Sequence, residues 1–401
     1  MIVSERLEKL NIPEYVAIPM ERLATAGEEA YIVGGGLRDV LLGREPNDYD
    51  VATSASPERM RKIFSDMRTV ETGLKHGTLT VICDHRPVEI TAFRVDGSYS
   101  DSRHPDSVSF TRSVAEDLAR RDFTINAMAY NRNSGLVDLY GGISDLSAGL
   151  VRAVGEPERR FGEDALRILR AFRFAAQLGF AIESDTLSAA KKCRDGLKNI
   201  AKERICTEFL KLICSPEPSE ALRLMAESGV MKYVLGDFTP EKEVLENIGE
   251  MEACDVARMG FLLVGCPSDE ARELLCTLKC SNRLKNGALA IALNAHRKIA
   301  EPRDAARLCK ELGDSAIFAA KASELLGVSK KNAEALVKNN IAPRNQGELA
   351  VSGRELEALG ITGRDIGKTL AYLLEITLDD PSLNKRQTLL DIACEKISTE
   401  N

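Results

Sequence analysis

Between Tyr31 and Asp50 the chain sets three consecutive glycines, Gly34, Gly35 and Gly36, then Arg38, then two aspartates one residue apart, Asp48 and Asp50. Glycines between a short apolar run and a helix start let the backbone turn sharply, and they leave N–H groups free where an anionic phosphate is favoured. Strand periodicity would put Asp48 and Asp50 on one face, where two carboxylates repel unless a cation lies between them. A hard divalent ion fits that role, because Mg²⁺ takes oxygen ligands and shares them with substrate phosphates. Paired metals can also serve attacking and leaving oxygens together. The chemistry expected is metal-assisted nucleotidyl transfer. A P-loop is excluded because no Gly-Lys-Ser/Thr follows, and a dinucleotide fingerprint because Arg38-Asp39 stands in place of its third glycine.

Two later segments carry complementary groups. Arg120-Arg121-Asp122-Phe123-Thr124-Ile125-Asn126 joins a basic pair to an acid and an amide, which supplies donors for phosphates and ribose hydroxyls; alone, Asp122 would serve equally well as a helix cap. In Glu163–Arg173, Asp164, Arg167, Arg170 and Arg173 recur every third position beside the apolar ridge Leu166, Leu169 and Phe172. A solvated helix face would explain that spacing. Hydrogen-bond polarity offers a sharper explanation. Cytosine and adenine each present an amino donor beside a ring-nitrogen acceptor, whereas uracil and guanine present a carbonyl beside an N–H. An aspartate and an arginine side by side would accept the first two bases and reject the others, each mismatched buried group costing about 1–3 kcal/mol.

These residues need a scaffold, and the strand signals for one cluster early: Tyr31–Val33, Tyr49–Ala52, Leu79–Cys83, Val88–Phe93, Val108–Thr111 and Leu136–Asp138, with a turn at Asp84-His85-Arg86-Pro87. Beyond about residue 150 helical periodicity takes over, as in Glu163–Leu178, Glu203–Ile213, Glu220–Ser228 and Arg386–Cys394, with proline breaks between segments. The fold class is α+β, a small mixed sheet followed by a long helical remainder. Polar residues 98–107 read as a surface loop. With 401 residues, 44% hydrophobic and 29% charged, the chain suits a multidomain globular protein. No run approaches the roughly 18 apolar residues a membrane span needs, and the charged N-terminus lacks a secretory core, so a cytoplasmic location is expected. Ten cysteines without a C-x-x-C read as reduced core thiols, and four histidines weaken any metallohydrolase reading. The net charge of −7 argues against indiscriminate nucleic-acid binding, yet residues 151–211 hold thirteen lysines and arginines against nine carboxylates.

Together these segments resemble the class II CCA-adding tRNA nucleotidyltransferases and bacterial poly(A) polymerases, within the polymerase-beta-like nucleotidyltransferases. GGGLRDVLLG…NDYD is similar to the family's first motif and RRDFTINA to its second. EDALRILRAFRFA is similar to its nucleobase-template motif, AKERICTEFLKLI to its neck-helix motif, and GELAVSGRELEALGITGRDIGKTL to its C-terminal segment. The resemblance implies a nucleotidyltransferase head at 1–150, a helical neck at 151–215 for nucleobase recognition, a helical body at 216–320 and a tRNA-binding helical tail at 321–401. It makes Asp48 and Asp50 the catalytic Mg²⁺ ligands and places Gly35 and Arg38 on the triphosphate. Arg121 would hold phosphate or ribose, with Asn126 at the sugar. Asp164 and Arg167 would read the base edge, and Arg170 and Arg173 would complete the nucleotide pocket. Gly36 stands outside this set, as a position the family varies. Glu89, on a strand, is a candidate third carboxylate.

The function implied is addition of CCA, from CTP and ATP, to the 3′ end of tRNA with release of pyrophosphate. The sequence DGSYSDSRHP occupies the place of the family loop tied to admitting ATP, which argues against a CC-only enzyme. A-only addition, poly(A) synthesis, nucleotidyl transfer to a small molecule and an inactive tRNA-binding module stay open at this point.

Overall fold

A computed structural model describes residue 10, residues 12–97 and residues 108–400, so the whole of the polar 98–107 loop lies outside the described residues. The chain divides into two compact units, Met1–Gly236 and Asp237–Asn401.

The first unit is built on a seven-stranded mixed sheet in the order β3-β4-β5-β2-β1-β8-β9. Its strands are β1 (Ala30–Val33), β2 (Asp50–Thr53), β3 (Thr69–Val70), β4 (Thr78–Cys83), β5 (Arg86–Ala92), β8 (Met128–Asn131) and β9 (Gly135–Asp138). β1, buried along its whole length, lies antiparallel between β2 and β8. β2 runs parallel to β5 with Asp50 opposite Glu89, so the two carboxylates share a face of the sheet. Along β4, Leu79, Val81 and Cys83 point inward while Thr78, Thr80 and Ile82 are half-buried, the alternation of a sheet packed on one side. β4 and β5 join through Asp84 and His85, both with positive φ (50° and 59°), a two-residue turn whose twist suits a hairpin. A separate ladder, β6 (Arg94–Asp96) with β7 (Val108–Phe110), stands at the base of the undescribed segment.

Past residue 150 the expected absence of strands fails at one place. β10 (Leu150–Val151) pairs in parallel with β11 (Ala181–Ile182), each too short to leave a period-two signal. The remainder of this unit is helical, with Leu166–Leu178 packed along Lys202–Ile213 and on Pro218–Glu227.

The second unit is helical. One core gathers Leu308, Cys309, Ala319, Ala320 and Val337, and another gathers Leu356, Leu373, Leu374 and Leu389. Prolines open helices here as in the first unit: Pro302 stands at the first helical position of Pro302–Leu312, after a capping box made by Glu301 and Asp304. The Gly360–Gly363 pattern is a tight connection between Gly353–Ala358 and Arg364–Asp379, with both glycines at positive φ.

None of the ten cysteines is in a disulfide; Cys83, Cys206, Cys266, Cys280 and Cys309 are buried, while Cys276 and Cys394 are exposed. Among the described residues no helix is long and apolar enough to cross a membrane.

Candidate active site

A cavity of about 590 Å³ is lined by residues at the edge of the sheet and on the helices Leu166–Leu178 and Lys202–Ile213. All ten residues singled out from the sequence line it: Gly35, Arg38, Asp48, Asp50, Arg121, Asn126, Asp164, Arg167, Arg170 and Arg173. They come from three segments far apart in the chain, 35–50, 121–126 and 164–173. Glu89 is not part of that lining; it reaches the site only as the strand neighbour of Asp50.

The glycines do not form a loop before the helix. They are its first turn, Gly34–Leu42, entered directly from β1 with Val33 as the extended cap residue. Gly34 has φ of +71°, and a Cβ there would lie 3.2 Å from Arg121 Nη1 and 3.7 Å from Asp50 Oδ2, so the backbone passes close to both groups. Asp48 precedes β2 and only Asp50 opens the strand, so the shared side of the pair comes from the approach to the strand as well as from strand periodicity.

Gly36, excluded above as a variable position, is constrained in this chain, since a Cβ would stand 2.8 Å from the Asp48 carbonyl oxygen. Gly36→Ala is therefore expected to push the Asp48 backbone aside. Nucleotide incorporation should fall about tenfold, with a destabilisation of about 1–3 kcal/mol from overpacking. Single-turnover rates and urea unfolding check both, and unchanged values would show that the strand entry yields freely.

Asp48, Asp50 and Glu89 accept no hydrogen bond and form no ion pair among the described residues. Burial, then the charges of Asp48 and Glu89, push the Asp50 carboxyl up to about 6, against the pull of Arg121. No cluster of three or more His, Cys, Asp or Glu side chains is drawn together tightly enough to hold an ion by itself among the described residues. Two aspartates with room for substrate oxygens fit Mg²⁺, which is usually held by one or two carboxylates plus phosphates.

Deeper in the cavity the polar groups brace one another. Arg38, 4% exposed, donates from Nε to Asp39 and from Nη1 to Asn126 Oδ1 at 2.9 Å. Asn126 Nδ2 in turn donates to Asp122 Oδ1 at 3.3 Å. Asp122 Oδ2 takes the Arg170 guanidinium at 2.6–2.8 Å. Burial would raise the Asp122 carboxyl, but Arg170 and the hydrogen bonds overcome it and hold the group at about 2. Asp122 is thus a buried counter-ion rather than a helix cap. Arg120 and Arg121 are tied together by Asp117, itself 1% exposed. The Phe174 ring has Arg173 at 4.0 Å, Arg38 at 5.2 Å and Arg170 at 5.4 Å from its centroid, so one aromatic face cushions three like charges.

The continuous helix expected over Glu163–Leu178 is interrupted. Pro157–Glu163 ends, Asp164 is extended (φ −142°, ψ 105°), and Leu166–Leu178 begins. The cause is the Asp164 side chain, whose Oδ1 accepts the Leu166 N–H at 3.0 Å while Oδ2 takes Arg204 Nη2 at 2.9 Å. Asp164 therefore stands off the helical ridge that carries Arg167, Arg170 and Arg173. Arg167 pairs with Glu163 at 2.7 Å and donates to the Arg160 and Arg120 carbonyls, not to Asp164. Arg173 Nε meets Glu208 at 2.7 Å, a pair almost fully buried.

Arg204 and Lys211 also line the cavity, and Glu208 supports it, although none of the three was singled out above. Their signal lay in the neck-helix motif: positions 204, 208 and 211 follow the i, i+4, i+7 spacing of one helix face. Three buried guanidinium atoms among the lining residues, Arg121 Nε, Arg173 Nε and Arg204 Nη1, have no hydrogen-bond partner among the described residues, and of these Arg173 Nε has the Glu208 carboxylate beside it as an ion pair. Such donors suit an acceptor-rich ligand.

A mixed sheet that carries paired aspartates beside a glycine-started helix, walled by arginines, defines a nucleotidyltransferase-type head. Residues 30–152 match the poly A polymerase head domain, and residues 179–242 match the probable RNA and SrmB-binding site of polymerase A. The CCA-adding enzyme of Ligilactobacillus salivarius is 36% identical over 96% of this chain and 97% of its own length. That of Streptococcus gordonii is 46% identical, over 62% of each. The crystal structure of the Bacillus stearothermophilus CCA-adding enzyme in complex with CTP superposes with a TM-score of 0.81 at 30% identity, covering 97% of this chain and 99% of that one. The chain belongs to the CCA-adding enzyme family.

Proposed function

We propose that this chain adds CCA to the 3′ end of tRNA, using CTP and ATP, Mg²⁺ and no nucleic-acid template, and that it does so in the cytoplasm. The observation that carries this is the convergence of ten residues from three distant segments on one cavity. Membership of the CCA-adding family supports the choice of substrate. The helical tail at 321–401 would hold the tRNA.

Asp48 and Asp50 would hold Mg²⁺, which when bound lowers the pKa of the attacking 3′-hydroxyl and neutralises the pyrophosphate leaving group. Gly35 presents backbone N–H groups to the triphosphate without a side chain in the way. Arg38 stands at the triphosphate end and fixes the Asn126 carboxamide, whose Nδ2 keeps one N–H beyond its bond to Asp122 for the ribose. Arg121, free at Nε, takes phosphate, and Arg170 and Arg173 line the nucleotide wall. Asp164 accepts from the base amino group, since each carboxylate oxygen keeps a further lone pair after its present bond. Arg167 donates to the ring nitrogen with N–H groups not used by Glu163 or the two carbonyls.

The test is incubation with a tRNA transcript lacking its CCA, in CTP, ATP, both, or UTP and GTP, beside Asp48→Ala, followed by sequencing of the ends. Ordered CCA addition by the parent alone is expected. Adenylation confined to a transcript ending in CC would reassign the chain as an A-only enzyme, and no incorporation would leave a tRNA-binding module.

A further inference from the structure

We propose that Arg204 is the residue that tells adenine from cytosine, by donating a hydrogen bond from Nη1 to N7 of the incoming adenine. This rests on the proposal that Asp164 and Arg167 take the base edge. Those two groups alone are indifferent between the permitted bases, because both bases offer a ring-nitrogen acceptor next to an amino donor. A discriminating group has to meet an atom in which the two differ.

The geometry supplies one. Asp164 is joined to two arginines of the cavity lining, to one through its backbone and to the other through its carboxylate. Arg167 follows it by one turn, its backbone N–H bonded to the Asp164 carbonyl at 3.0 Å, and Arg204 Nη2 holds Asp164 Oδ2 at 2.9 Å. Across the edge of adenine the order of polar atoms is ring N1, the N6 amino group, then the N7 acceptor. Across cytosine it is ring N3, the N4 amino group, then a carbon-bound hydrogen. With the ring nitrogen on Arg167 and the amino group on Asp164, the neighbouring position would fall to Arg204, whose Nη2 already grips the same carboxylate. There adenine offers an acceptor and cytosine offers none. The Arg204 side chain lines the cavity, and its Nη1, beside the nitrogen that grips Asp164, is a donor without a hydrogen-bond partner among the described residues; it is covered in the empty cavity, so the guanidinium turns to meet N7. Adenine would satisfy that donor, while cytosine would leave it as it is.

Arg204 also positions the Asp164 carboxylate, so its loss weakens both nucleotides; only the N7 contact is particular to adenine. The separating probe is 7-deaza-ATP, in which N7 is replaced by C–H with little change of shape. Binding of ATP, 7-deaza-ATP and CTP is measured by calorimetry with Mg²⁺ and without tRNA, on the parent, Arg204→Met and Arg204→Lys. The parent is expected to bind ATP about tenfold tighter than 7-deaza-ATP, as befits one hydrogen bond to a charged donor. Arg204→Met should abolish that gap while weakening CTP and 7-deaza-ATP by a common factor, and Arg204→Lys should restore part of it. Equal binding of ATP and 7-deaza-ATP by the parent, or a gap that persists in Arg204→Met, would overturn the assignment. A parent that binds neither CTP nor ATP would overturn the proposed function together with this inference, an outcome distinct from equal binding of the two purines.

Discussion

Asp50→Asn is expected to lower nucleotide incorporation by a factor on the order of 10³ or more, because metal stabilisation of the transition state supplies several kcal/mol. The fold should survive. Asp50 is the first residue of β2, with Asp48 and Glu89 crowding its carboxyl and no hydrogen bond or ion pair compensating it. A carboxyl raised to about 6 in the folded protein disfavours the charged form there, so the penalty is absent below its unfolded value, grows as pH rises from that value to about 6, and is fully present above it. The amide removes that penalty, and the variant should melt no lower than the parent at pH 7.5 without metal. Mg²⁺ should raise the melting temperature of the parent and not that of the variant. A variant that keeps a tenth of the parental rate in Mg²⁺, or that gains stability from the ion as the parent does, would remove Asp50 from the metal site.

The second large effect is expected at Asp164. Asp164→Asn keeps an oxygen to accept the Leu166 N–H, so the start of Leu166–Leu178 should hold, but the group facing the base becomes part donor. Incorporation of CTP and ATP should fall about a hundredfold, with two hydrogen-bonding groups mismatched at 1–3 kcal/mol each, and UTP should gain relative to CTP. Asp164→Ala should lose the helix cap as well, at about 1 kcal/mol, and strand the Arg204 guanidinium. Competition assays with paired nucleotides read the ratio directly. An unchanged ratio of CTP to UTP use in Asp164→Asn would mean that another group reads the base.

Local patterns made much of this legible. The apolar run Tyr31–Val33 lies within β1, and the turn chemistry at Asp84 and His85 marks a real hairpin. Met128–Asn131 escaped because alanine and asparagine carry little strand signal, and its burial comes from pairing with β1. The break at Asp164 was invisible for another reason. Hydrophobic periodicity runs unbroken across it, and only a side chain that takes a backbone donor, held by an arginine forty positions away, stops the helix. The counter-ion roles of Asp117 and Asp122 are likewise tertiary, since a carboxylate's partner cannot be read from its neighbours. Where chemistry required several residue types within a short stretch, as at Gly34 to Asp50, the sequence sufficed. Where it required two distant helices to meet, as at Arg204, it did not.

The arginine-walled cavity also has a kinetic consequence. Seven arginines and Lys211 face four aspartates in a concave site, on a chain whose net charge is −7. Low-dielectric walls concentrate field lines at such a mouth. Capture of a nucleotide is then a guided encounter, reaching over about one Debye length of 8–10 Å at physiological salt. Raising the ionic strength slows arrival far more than it hastens departure. A nucleotide that has reacted loses that guidance as its charge leaves the cavity with the pyrophosphate.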